Sequence, residues 1–192
     1  MVGGGACGAA PPAVPVPAFP PASPPPTVQP AAASSDVSCA KLLPQDEAVA
    51  VLGLPLDGLA VGDVRGVPAM AVGRTARETC TYTAVNPVWP VKGVVLVVTV
   101  GWFVDPASAR AQHERNVADV AGGGAVASEH LGAATAAVVV RRDRTVLLSV
   151  FRRTNVDVEI ANAVGRPSAS RGVLDDVVRR VLARLVDTRS TA

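Results

Sequence analysis

The chain has 192 residues with 18 basic and 16 acidic side chains, a net charge of +2, and only six aromatic residues. That balance selects neither for nor against nucleic acid, but so few rings exclude the stacking platforms on which single strands and sugars are bound. The most apolar run, GVVLVVTVGWFV at 93–104, has 12 residues, short of the ~20 a membrane helix needs.

Residues 1–36 form a tail or spacer. The first 35 hold no charged residue and include 10 of the 17 prolines, so the segment cannot offset the entropy of ordering and should favour extended polyproline II conformations. Near its start stands Cys7, preceded by Gly4, Gly5 and Ala6. Small residues before a cysteine resemble the end of a bacterial lipoprotein signal, in which the cysteine receives lipid. Gly4 occupies the place where that motif usually has Leu, and no basic or apolar region precedes it. The lipid-anchor reading therefore expects a start further upstream; the alternative is an unmodified thiol in a disordered tail. Lipid processing would supply the two or more acyl chains that stable anchoring requires.

Residues 37–188 read as one domain, long enough for a sizeable core, and 189–192 as a short C-terminal tail. Nearly all basic residues are Arg, with Lys41 and Lys92 the exceptions. With the excess of Ala, Val, Gly and Pro this matches coding in a GC-rich genome, so an arginine is not functional by default. Residues 36–140 carry 7 basic and 10 acidic groups, and residues 141–192 carry 11 and 6.

In chain order, LPQDEAVAVLG (43–53) has Pro near a helix start, acidic residues in the first turn and Gly at the end, which predicts a short helix. Residues 54–76 lack periodicity and read as loop. ETCTYTA (78–84) alternates with period two and reads as a strand. Asn86, Pro87 and Pro90 break the chain before a second strand at 93–104. Asp105-Pro106 predicts an N-cap and first position of a helix reaching Val120, stopped by three glycines. Strands follow at 126–130, 135–141, 145–151 and 156–162, with a hairpin at 142–144. RPSAS (166–170) reads as loop, and a final helix capped by Ser170 places Leu174, Val177, Val181 and Leu185 on one face. Six strands and about three helices in this order predict an α+β fold, an antiparallel sheet flanked by helices.

Two further cysteines, Cys39 and Cys80, match no zinc or redox spacing. In an exported protein two such cysteines most simply form a disulfide; in a cytosolic one they would be buried thiols. No catalytic constellation is recognisable, and no metal or cofactor is expected. His113 edges an apolar helical face, where a structural histidine is the plainer reading, and Glu129-His130 is a single weak pair. AGGGAV follows a helix instead of opening one, against a phosphate cradle. Arg141, Arg142, Arg144, Arg152 and Arg153 flank one predicted hairpin and form a candidate anion-binding patch for envelope lipid, polysaccharide or an acidic exported partner. The alternative is charge that guards a sheet edge. Trp89 reads as a loop anchor and Trp102 as core.

Cys39, the pair Leu42-Leu43, Leu52-Gly53 closing a short helix, and Cys80-Thr81-Tyr82 opening a strand together resemble a family of actinobacterial lipoproteins catalogued as domain of unknown function 3558, and similar mycobacterial lipoproteins. The resemblance spans about residues 37–187. It implies a Cys39–Cys80 disulfide and a sheet-and-helix fold similar to the Mog1/PsbP type, and it implies no enzymatic activity. The resulting expectation is an extracytoplasmic, lipid-anchored or secreted module that binds an envelope component or exported protein. The alternatives are a small secreted hydrolase or enzyme accessory using His113 or His130, and a carrier of a lipid or small apolar ligand.

Overall fold

A disulfide between Cys39 and Cys80 ties the first helical turn to the sheet, their Cα atoms 5.5 Å apart. The computed structural model describes residues 37–53, 59–85, 93–122, 124–161 and 167–187. The spacer, Cys7, Trp89, the chain break at 86–90 and the tail at 189–192 lie outside them.

The described elements are α1 (Cys39–Leu42), α2 (Gln45–Leu52), β1 (Leu59–Gly66), a 3-10 turn (Met70–Val72), β2 (Arg74–Ala84), β3 (Gly93–Phe103), α3 (Pro106–Ala121), β4 (Val126–Leu131), β5 (Ala134–Val140), β6 (Arg144–Phe151), β7 (Thr154–Ala161) and α4 (Pro167–Asp187). The seven strands form one antiparallel sheet in the order β1-β2-β3-β7-β6-β5-β4. The fold is α+β, as the element order predicted.

Alternation assigns the two faces. Glu78, Cys80 and Tyr82 on β2, Leu96, Val98 and Val100 on β3, and Val156, Val158 and Ile160 on β7 are cross-strand neighbours on one face. That face buries the main core with Leu42, Leu52, Leu174, Val177, Val181 and Leu185 from α1, α2 and α4. On the opposite face α3 packs Ala109 with Phe103 and Val150, and Val117 and Val120 with Val139, Val146 and Leu148. β6 is therefore covered on both sides, which is why TVLLSVF reads as a continuous apolar run.

Polar contacts lock α1 and α2 under α4. The Tyr82 hydroxyl, fully buried, donates to the Leu43 carbonyl at 2.6 Å. Arg184 donates to the Leu42 carbonyl at 2.8 Å and pairs with Glu47. The predicted cap of α3 is present: Asp105 accepts from the Ser108 amide at 2.7 Å, and Gly122 closes the helix at φ 51°.

Four expectations are corrected. Residues 59–66, within the stretch read as loop, form edge strand β1, and β2 begins at Arg74 instead of 78. Of β1 only Leu59 is buried, because an edge strand rests on one neighbour and needs no apolar alternation. There are four helices among the described residues, not three: α1 is a single turn held by its disulfide, too short to show a period. Residues 167–170 of the predicted loop belong to α4, so Ser170 lies inside the helix; proline is well suited to a first helical position. The last strand begins at Thr154 instead of 156, since Thr154 and Asn155 are paired and buried, and its predicted end at 162 lies outside the described residues.

Candidate functional site

The five arginines do not form one patch. Arg141 and Arg142 lie in the β5–β6 turn beside Arg144, while Arg152 and Arg153 form the β6–β7 turn at the other end of β6. Seven steps along a strand, at ~3.3 Å each, separate the groups by about 23 Å. The sequence reading took one hairpin for both ends; the strand between them carries them apart. Arg141 donates to the Val120 carbonyl at the end of α3. Arg144 pairs with Glu159 at 3.0 Å and Asp143 at 3.3 Å. Arg152 lies 5.1 Å from the Phe151 ring centre, and Arg153 lends its carbonyl to the Phe103 amide at 2.9 Å.

His113 is buried on α3, and burial lowers its pKa, favouring the neutral ring. Trp102 lies in the main core. Glu129 and His130 are successive residues of β4 and project to opposite faces. Glu129 pairs with Arg171 of α4, whereas His130 is exposed. They make no acid–base pair.

Two features stand out instead. The first surrounds the disulfide. Register sets Asp63 opposite Cys80 and Arg65 opposite Glu78, and Glu78 shares the inner face with Cys80 two residues on. Sγ of Cys39 and one carboxylate oxygen each from Asp63 and Glu78 lie within 4.8 Å of one another. The Glu78 side chain is fully buried, and neither carboxylate oxygen has a hydrogen-bond donor. Its nearest cation, Arg65 Nε, is 3.6 Å away. Burial first, and the neighbouring Asp63 second, push Glu78 up to about 7, against the pull of Arg65. A signal was present in the sequence: ETCTY puts Glu on the same side as the core residues Cys80 and Tyr82, and a carboxylate in that position asks for a partner.

The second is an open groove of about 550 Å³ on the inner face, where β4, β5 and β6 meet the start of α4. Val126, Ala127, Val138, Val140 and Thr145 line it, and Arg171 stands at its rim. Val140 is 57 % exposed and Val126 is 40 % exposed, so apolar surface faces solvent there. One turn beyond Arg171, burial and then Glu129 raise the pKa of Asp175. A smaller hollow of about 270 Å³ lies along the later turns of α4, between Leu131, Phe151, Leu182 and Val186. Small side chains line the larger groove, since Ala and Val leave space that larger residues would fill.

No protein-family model matches the chain, and no curated protein matches it. Among solved structures, the extracellular domain of PknH from Mycobacterium tuberculosis is similar with a TM-score of 0.48 and 13 % identity, over 75 % of this chain and 94 % of that one. A likeness of that size says nothing of this chain's partners. Among the described residues, no helix is long and apolar enough to cross a membrane.

Proposed function

We propose that this is an extracytoplasmic binding module, a domain held outside the membrane by the lipid on Cys7 and the spacer that follows it. The observation that carries the reading is the Cys39–Cys80 disulfide, buried at both ends. Such bonds persist in oxidising compartments and are rare where thiol reductants are abundant. The actinobacterial lipoprotein family and the Mog1/PsbP-type arrangement named above fit the same reading through Cys39, Cys80 and Tyr82. Protease treatment of intact cells tests it. Digestion of the domain without lysis is expected, and protection until the membrane is opened contradicts it.

A carrier role is the second reading, favoured by the groove between β4–β6 and α4. Its lining is uncharged apart from Arg171, whose charge is taken up by Glu129. That chemistry suits the acyl portion of an envelope lipid. The five arginines stand at the two ends of β6, so an anionic partner would meet them as two separate groups. Solvent extraction of the purified protein followed by mass spectrometry should release a stoichiometric lipid, and Val138→Arg should abolish its retention. An extract without lipid from protein purified from its own membrane contradicts this role.

A further inference from the structure

We infer that, once the disulfide is opened, the domain holds one thiophilic divalent cation of the zinc class between Cys39, Cys80, Asp63 and Glu78. The inference goes beyond the binding reading and does not depend on it.

Three of the four donors are already assembled. Cys39 Sγ, an Asp63 oxygen and a Glu78 oxygen lie within 4.8 Å of one another, and Cys80 Sγ is bonded to Cys39 Sγ. A tetrahedral zinc site with ligand distances of about 2.0–2.3 Å spaces its donors roughly 3.3–3.8 Å apart. With their Cα atoms 5.5 Å apart, the two cysteines can turn both sulfurs toward one ion once the bond between them is open. Three of the four donors come from the paired strands β1 and β2, with Asp63 directly across from Cys80. The fourth comes from α1, which Tyr82 also holds through Leu43.

A separate observation points to a cation. Glu78 is a fully buried carboxyl with no hydrogen-bond donor on either oxygen and a long ion pair to Arg65, a costly state that a coordinated cation relieves. Asp63 is exposed and gives the ion a way in. Two thiolates and two carboxylates around a dication leave a net charge of −2, and Arg65, 3.6 Å from Glu78, offsets part of it from outside the coordination sphere. Two sulfur and two oxygen donors suit zinc or cadmium; magnesium and calcium call for about six or more oxygens.

Opening the bond takes two electrons and two protons. With a phosphine reductant, water supplies the oxygen of the phosphine oxide and the two hydrogens that end on the sulfurs. In a cell a dithiol serves and becomes a disulfide itself. The cation then displaces both thiol protons, and any proton on Glu78, to solvent.

The test is a Co²⁺ titration of phosphine-reduced protein under anaerobic conditions, with cobalt standing in for zinc. Thiolate-to-cobalt charge-transfer absorption should grow to one equivalent per chain, and the oxidised protein should show none. Glu78→Gln and Asp63→Asn should each weaken binding about tenfold or more, while Asp143→Asn, in the β5–β6 turn, should not. Absence of the charge-transfer band overturns the inference. So does binding that neither variant weakens, or a reduced chain whose near-ultraviolet circular dichroism is lost and not restored by Co²⁺.

Discussion

Asp157 makes stability depend on pH in a way that one isosteric substitution isolates. It sits in β7 beneath α3, with Oδ2 accepting from Asn116 Nδ2 at 2.8 Å and Oδ1 sealed from solvent without a partner. Burial pushes its pKa from an ordinary 3.8 up to about 7, against the smaller pulls of Asn116 and Arg77. A carboxyl whose pKa is raised by folding binds its proton more tightly in the native state. Its contribution is therefore fully present below pH 3.8 and is lost as pH rises through about 7. At about 1.4 kcal/mol per pH unit the whole shift corresponds to about 4 kcal/mol. That is an upper figure, because local relaxation around the carboxylate lowers the cost of charging it. Glu78 titrates over the same range, so the comparison belongs in a Glu78→Gln background. Urea midpoints measured from pH 4 to pH 8 should fall less steeply once Asp157→Asn is added, since Asn keeps the acceptor for Asn116 and the shifted Asp175 and His113 act alike in both proteins. Equal slopes with and without Asp157→Asn would refute the reasoning.

Replacing both disulfide cysteines by Ser should lower unfolding free energy by about 4 kcal/mol in the loop-entropy account, given the sequence separation of 41, read from denaturant midpoints. Tyr82→Phe leaves the buried Leu43 carbonyl without its donor and should cost about 1–3 kcal/mol, with reduced hydrogen-exchange protection of α1 and α2. Asp105→Ala removes the α3 cap and should cost about 1 kcal/mol, measured in the same denaturation series.

Legibility in the sequence followed the number of neighbours each element has. β3, β6 and α4 carry the core, and their apolar patterns are dictated by packing, so they could be read directly. β1 has one neighbour and a mostly exposed surface, and α1 is one turn held by a covalent bond. Neither needs a pattern, and neither showed one. The Asp105 cap was visible because its chemistry is local, completed within three residues. The arginine patch failed for the opposite reason: proximity in sequence across two turns says nothing until the strand between them is laid out. Asp63 and Glu78 are 15 positions apart and meet through register, two residues off direct opposition, which no local window contains. The groove depends on side chains that are missing, small residues beneath α4, and so leaves no motif.

The most direct test of the exported reading is non-reducing peptide mass spectrometry on the protein from separated membrane, secreted and cytosolic fractions of its own cells. Tryptic cleavage after Arg77 and Lys92 places Cys80 in the peptide ETCTYTAVNPVWPVK. The account predicts that peptide joined through Cys80 to the segment ending at Lys41, in the membrane or secreted fraction. The same peptide with a free thiol, recovered from the cytosol, would contradict it.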